Sequence, residues 1–116
     1  MMEKLIELGT IGELDKAIAE SHERPVIVFK HSTTCPISSR AFREFESFLE
    51  AASPAAAYSL ITVQRSREVS NEAAVRLSVA HESPQAILIR NGRPVWSASN
   101  FEITEASLKR ALTEVA

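Results

Sequence analysis

A short apolar run that turns within a few residues into an amphipathic helix is the feature that most constrains the fold. Val26-Ile27-Val28-Phe29 has the composition of a buried strand, and helical spacing begins near Pro36. Proline suits a first helical turn because the N–H that it lacks would have no partner there. An apolar strand followed by a helix predicts an α/β protein with parallel strands at its centre. The junction between this strand and this helix contains Cys35, the one cysteine of the chain.

Cys35 stands where the helix begins, at the positive end of the helix dipole, and a thiolate is favoured there over a thiol. The second cysteine of a Cys-x-x-Cys pair would fall at position 38, where the chain has Ser38. A lone thiolate can attack a disulfide and form a mixed disulfide, but an external thiol must then resolve it. We expect the Ser38 hydroxyl to donate a hydrogen bond to the thiolate. The alternative is a buried and inert cysteine, and the neighbouring Ser and Thr residues argue against it.

The other patterns predict alternating strands and helices. Thr10 and Glu13 form a capping box, Asn91-Gly92 predicts a hairpin, and Ser70 is expected to cap the third helix. The predicted strands are Lys4 to Leu8, Val26 to Phe29, Tyr58 to Val63, Ala86 to Ile89 and Val95 to Ala98. The predicted helices run from Ile11 to about Ser21, from Pro36 to Ala51, from Glu72 to Val79 and from Thr104, as a cap, to the end of the chain. Inward positions are expected to include Phe42, Phe45, Phe48, Ala74, Val75 and Val79 or Leu77.

Size and charge exclude several classes of function. The 116 residues suit one domain over 1–116, and 13 basic against 15 acidic side chains give no basic footprint for nucleic acid. No segment has the ~20 apolar residues that span a membrane, and no signal peptide is evident. With one cysteine, no internal disulfide points to an oxidising compartment, so we expect a cytoplasmic protein. His22 and His81 have no companions at metal-ligand spacing, and we expect no metal site.

The predicted order, βαβαβαββα, resembles the thioredoxin layout: a three-layer α/β/α fold with a mixed central sheet. In thioredoxin-like folds a cis-proline before a strand faces the redox cysteine, and the residue before it offers backbone groups to an extended substrate. Ser83 and Pro84 stand at that place. The resemblance therefore implies that Pro84 is cis and that both residues bind substrate, although only about 5–6% of X-Pro bonds in folded proteins are cis.

The segment from Phe29 to Ser38 resembles the signature of the monothiol bacilliredoxins, YtxJ-like proteins of the bacillithiol system. This resemblance extends over essentially the whole chain, although the family pattern has a histidine where Ser99-Asn100-Phe101 stand here. It implies a thiol-disulfide oxidoreductase in which Cys35 removes bacillithiol from protein mixed disulfides. The supporting motif residues would be Thr34, Pro36, Ile37 and Ser38.

The same resemblance implies no tightly bound cofactor, with bacillithiol or a similar small thiol as co-substrate and S-thiolated proteins as partners. Lys30 and His31 precede Cys35 closely enough to lower its pKa or to contact the carboxylates of a malate-bearing thiol. A solvated pair at the end of the strand is the competing interpretation, and the one that we expect. Arg40 and Arg43 similarly suggest either a rim for an anionic thiol or ordinary solvated side chains.

Three functions stay open from the residues alone. The first is exchange of bacillithiol, and the second is glutaredoxin-like exchange of glutathione or another small thiol. The third is a non-enzymatic role as a thioredoxin-fold adaptor or as an iron–sulfur carrier with Cys35 as a ligand. The identity of the small thiol and the absorption spectrum of the purified protein separate these hypotheses.

Overall fold

A computed structural model describes residues 4–115 and contains the predicted alternation, with one short 3₁₀ helix added before the last helix. The strands are β1 (Leu5–Glu7), β2 (Val26–His31), β3 (Ala57–Thr62), β4 (Gln85–Arg90) and β5 (Arg93–Ser99). The helices are α1 (Ile11–Glu20), α2 (Pro36–Glu50), α3 (Arg67–Leu77), the 3₁₀ helix (Asn100–Glu102) and α4 (Glu105–Val115). Within the described range, no helix has the length and apolarity needed to cross a membrane. Residues 1–3 and 116 of the predicted single domain lie outside that range.

The five strands form one mixed sheet in the order β1-β3-β2-β4-β5. β2 pairs in parallel with β3 and antiparallel with β4, and Lys30 of β2 stands opposite Gln85 of β4. Cys35 follows the end of β2, and Pro84 directly precedes β4. The register therefore brings the loops that carry these two residues to the same end of the sheet.

Successive side chains of β2 enter opposite sides of the sheet, as strand geometry requires. Ile27 and Phe29 pack with the apolar residues of α2 and α4, among them Phe45. Val26 and Val28 pack with those of α1 and α3. The apolar run is continuous because both sides of this central strand are covered by helices.

Local caps set two of the helix starts as predicted. Glu13 N–H donates to Thr10 Oγ1 over 3.1 Å, and Gly9 N–H donates to the Glu13 carboxylate over 2.8 Å. Ser107 N–H donates to Thr104 Oγ1 over 3.0 Å at the start of α4. Each cap satisfies a backbone donor that the first helical turn leaves without a partner.

The predicted start of the third helix is wrong. α3 begins at Arg67 with Ser66 as its N-cap, and Ser70 lies buried inside the helix. Its buried stripe is Val69, Ser70, Ala73 and Leu77, whereas Val75 is 75% exposed. The predicted inward position of Val75 is therefore also wrong, because a helix that starts five residues earlier buries a stripe with a serine in it. Periodicity counted on apolar residues alone missed that stripe.

Candidate functional site

Cys35 occupies the N-cap position of α2, as the sequence predicts. Its backbone is extended (φ −109°, ψ 121°), and its carbonyl accepts from Ser39 N–H over 3.0 Å in the first helical hydrogen bond. The thiol is free, and the residue is half-buried. Pro36 takes the first helical position, and the Cys35 side chain makes no capping hydrogen bond, so the thiol stays free at the N-terminus of α2. This placement combines partial access to solvent with the positive end of the helix dipole.

Ser38, at the position of a second redox cysteine, is fully buried and already has its hydrogen-bond partners. Its Oγ lies 2.8 Å from His31 Nδ1 and accepts from Ser32 N–H over 2.8 Å. The expected hydrogen bond from this hydroxyl to the Cys35 sulfur is not formed in the structure. Because His31 belongs to β2 and Ser32 to the loop that follows it, Ser38 holds in place the loop that leads to the thiol.

His31 joins this brace to the aromatic core. Its half-buried ring stacks on Phe42, with 4.7 Å between the ring centroids and 17° between the planes. Burial lowers the pKa of His31 from its ordinary value, and the nearby carboxylate of Glu46 opposes that shift in part. The imidazole therefore favours its neutral form where it contacts Ser38.

Gln64 holds the cysteine loop from the other side, a role that the sequence analysis missed. Its Oε1 accepts from Thr33 N–H over 3.1 Å. Its Nε2 donates to Ser32 Oγ over 2.7 Å and to Thr34 Oγ1 over 3.2 Å. These partners stand about thirty positions away in the chain, so no local pattern could have indicated them. Thr34, predicted as part of the motif, thus contacts a side chain that holds the cysteine loop.

The Ser83–Pro84 peptide bond is cis, which confirms that prediction. Pro84 is buried, and its carbonyl accepts from Asn100 N–H over 3.2 Å. The Ser83 hydroxyl and Gln85 Oε1 are buried and find no hydrogen-bond partner among residues 4–115. The segment that enters β4 therefore keeps polar atoms without partners at the same end of the sheet as Cys35.

Lys30 is fully buried, so the expected solvated pair at the end of β2 is wrong for this residue. Its Nζ donates to the Ser70 carbonyl over 2.9 Å and lies 3.4 Å from His81 Nδ1. Burial lowers the pKa of Lys30 to about 8. The ammonium group faces α3 and the loop before β4.

The remaining predicted residues follow Cys35 in the first turns of α2. Pro36 is exposed and Ile37 is half-buried. The Arg40 guanidinium lies 5.3 Å from the ring centroid of Phe101, which is 60% exposed, and so covers an aromatic neighbour. In the described part of the chain, no group of three or more His, Cys, Asp or Glu side chains could hold a metal ion.

Two comparisons with known proteins bear on this site. A family model described as "Monothiol bacilliredoxin BrxC" matches residues 6–108. A solved structure described as a candidate oxidoreductase with a thioredoxin fold is 36% identical, with a TM-score of 0.82, and 92% of each chain is covered. The residues matched by the family model include the cysteine loop, the cis-proline and strands β2 to β5.

More distant structures support the fold alone. Thioredoxin from Fasciola hepatica is 20% identical with a TM-score of 0.76, over 94% of this chain and 97% of its own. Thioredoxin from Trypanosoma brucei brucei is 11% identical with a TM-score of 0.78, over 99% of this chain and 93% of its own. With these neighbours, the predicted thioredoxin-like α/β fold is confirmed.

Proposed function

Because the chain belongs to the monothiol bacilliredoxin family, we propose that Cys35 removes bacillithiol from mixed disulfides on other proteins. The chain is a monothiol redox protein of the thioredoxin fold, and the proposal adds the cap that it exchanges. The observation that carries it is the half-buried thiol at the N-cap of α2, with a buried and hydrogen-bonded Ser38 at the resolving position. One accessible sulfur suits exchange of a small cap between thiols.

The first step is attack by the Cys35 thiolate on the bacillithiol sulfur of the client's mixed disulfide. A disulfide forms between Cys35 and bacillithiol as the original disulfide breaks, and the client cysteine leaves as a thiolate that takes a proton from solvent. One disulfide breaks as one forms, so this step needs no external oxidant or reductant. The α2 dipole favours the attacking thiolate.

The second step needs a second bacillithiol. Its thiolate attacks the bacillithiol sulfur on Cys35, releases bacillithiol disulfide and returns the Cys35 thiolate. Ser38 offers no sulfur for an internal attack. The protein is thereby committed to a small thiol as co-substrate and to S-thiolated proteins as clients, in a reducing compartment such as the cytoplasm.

Ser83 and Pro84, at the same end of the sheet as this sulfur, are the proposed substrate contacts. The hydrogen bond from Asn100 N–H to the Pro84 carbonyl fixes the backbone at this point. An extended client segment could pair with backbone groups of Ser83 while its disulfide points to Cys35. His31 would affect the same site indirectly, through its contact with Ser38, which holds the cysteine loop.

Mass spectrometry of the intact protein tests the proposal. Reduced protein is mixed with a bacillithiolated client, and the bacillithiol mass is expected to move to the wild-type chain and not to Cys35→Ala. Ser39→Ala is the matched control, because it removes a neighbouring hydroxyl that the structure leaves outside the loop's hydrogen bonds. Equal removal of the cap by Cys35→Ala would contradict the proposal.

The same assay decides which small thiol is used. Clients capped with bacillithiol and with glutathione are compared in parallel, each with its own thiol as the resolving reagent. We expect faster turnover with bacillithiol. Preference for glutathione would instead support the glutaredoxin-like alternative, and the activity would still depend on Cys35.

A further inference from the structure

A buried lysine ties the cis-proline loop to the strand that leads to the thiol. Lys30 is fully buried, and in the described range no carboxylate forms an ion pair with it. A buried charge without a counter-ion is costly, so its hydrogen-bond partners determine what it does. Those partners are the Ser70 carbonyl at 2.9 Å and His81 Nδ1 at 3.4 Å.

The loop of residues 78–84 runs from α3 to β4 and ends in Ser83–Pro84. It is fastened at two consecutive residues. His81 Nδ1 contacts Lys30 Nζ, and the Ala80 carbonyl accepts from Gln85 Nε2 over 3.0 Å. Lys30 and Gln85 stand opposite each other on the paired strands β2 and β4. Both hydrogen bonds to the loop therefore come from one point at the end of the sheet.

The charge states on both sides of this contact are constrained. A lysine ammonium can only donate, so His81 Nδ1 must accept and the imidazole must be neutral. Burial, followed by the charges of Lys30 on β2 and Arg67 on α3, lowers the pKa of His81, while Glu82 on its own loop opposes the shift. The Ser70 hydroxyl also lies 3.2 Å from Nδ1 and reinforces the same acceptor role.

We propose that Lys30 is a positioning residue, whose buried ammonium holds the 78–84 loop so that Ser83 and Pro84 are set for a client's mixed disulfide. It acts on substrate binding through His81 and touches neither the substrate nor the reacting sulfurs. This inference rests on the proposed function for its enzymatic readout. It assigns to Lys30 a role other than contact with the carboxylates of the small thiol.

The contact has a pH window. Protonation of His81 turns Nδ1 into a donor and places a positive charge next to Lys30. The contact between His81 and Lys30 therefore breaks at acid pH. Above about pH 8 the amine of Lys30 becomes neutral and is a weaker donor. Client binding is therefore strongest between these limits.

Lys30→Met and His81→Ala test the inference, with Lys30→Arg as the conservative variant and Lys109→Met as a remote lysine control. The probe is a bacillithiolated peptide, assayed for KM and kcat, and Cys35 reactivity is followed separately with iodoacetamide. We expect Lys30→Met to raise KM about tenfold, the scale of one charge-assisted hydrogen bond. The value of kcat and the alkylation rate should stay near wild type, and Lys30→Arg should recover part of the lost binding.

His81 is exposed, so His81→Ala should fold even if Lys30→Met does not, and it is expected to raise KM in the same way. The wild-type KM should rise above about pH 8, whereas that of Lys30→Met should not change there. KM within about twofold of wild type for His81→Ala would overturn the inference, since the contact would then contribute less than a hydrogen bond. A matching fall in the alkylation rate would also overturn it.

The outcome is separable from the proposed function. If the wild type exchanges no bacillithiol, the proposed function fails. Hydrogen exchange at the amides of residues 81–83 still tests whether the contact between Lys30 and His81 holds the loop. Faster exchange there in His81→Ala than in Lys109→Met supports it, and equal exchange overturns it. If the wild type is active and the KM values of Lys30→Met and His81→Ala match it, the proposed role of Lys30 is wrong and the proposed function stands.

Discussion

Lys30 and His31 are neighbours in the chain, but their side chains enter opposite sides of the sheet. On the α2 side, His31 stacks on Phe42 and contacts Ser38, so an aromatic cluster continues up to the loop of the thiol. On the α3 side, the aliphatic core ends in the ammonium of Lys30, which contacts Ser70 and the loop before β4.

The two side chains therefore hold two different loops, and they do so by different interactions. The cysteine loop is held by packing and by hydrogen bonds between neutral groups, which change little near neutral pH. The cis-proline loop is held in part by a buried cation, whose pKa burial lowers to about 8, and by a histidine, whose pKa is also lowered by burial and by nearby positive charges. The nucleophile is thus fixed, while the substrate contact depends on charge.

The largest expected effect lies in the aromatic cluster. Phe45 is fully buried and stacks on Phe29 with 4.9 Å between centroids. We expect Phe45→Ala to lower the free energy of unfolding by about 3–5 kcal/mol, measured by urea denaturation. The exposed Phe101→Ala should stay within about 0.5 kcal/mol of wild type. Similar losses in both variants would show that the aromatic cluster does not hold this side.

Ser38→Ala tests the brace under the thiol. The variant leaves the Ser32 N–H and His31 Nδ1 without their partner in a buried place, and we expect a loss of about 1–3 kcal/mol in urea. Ser39→Ala, which changes the adjacent hydroxyl, should cost less. If both cost the same, the hydrogen bonds of Ser38 do not set the loop, and the α2 side would rest on packing alone.

Lys30 should give a pH-dependent stability. Its pKa is about 8 when folded and about 10.5 when unfolded, so between these values the unfolded chain binds more protons and stability rises with pH. Relative to Lys30→Met, the wild type should gain free energy of unfolding from about pH 8 to 10.5. Parallel curves for the two proteins would show that the ammonium is not buried at a cost. Client binding should weaken over the same range, opposite in direction to global stability.

His31 should give the smaller effect, on the acid side. Its pKa is lowered in the folded protein, so below about 6.5 the unfolded chain takes up protons first. Stability is therefore complete above that pH and falls as the pH drops through the folded value. Urea titrations of His31→Gln should show a shallower acid slope than wild type, with His81 supplying part of what remains. An unchanged slope would place the acid sensitivity entirely on the α3 side.

The agreement between sequence and structure follows the range of the interactions. The α1 and α4 caps, the Asn91-Gly92 hairpin and the start of α2 at Pro36 depend on residues within one turn, and all were predictable. The start of α3 was missed because its inward stripe includes Ser70. The cis state of Pro84 followed from resemblance to a known layout rather than from composition.

By itself, the sequence determined the order of strands and helices, one sulfur at the start of a helix and a serine where a second sulfur would stand. Those features are local, because periodicity, caps and turns act over a few residues. Only the tertiary structure decided that Ser38 braces a loop instead of contacting the thiol, and that Lys30 is buried. The partners of Lys30 lie 40 and 51 positions away in the chain, and pairing of β2 with β4 brings the second of them close. Whether a lysine is solvated or buried depends on what the fold places above it, and no local pattern records that.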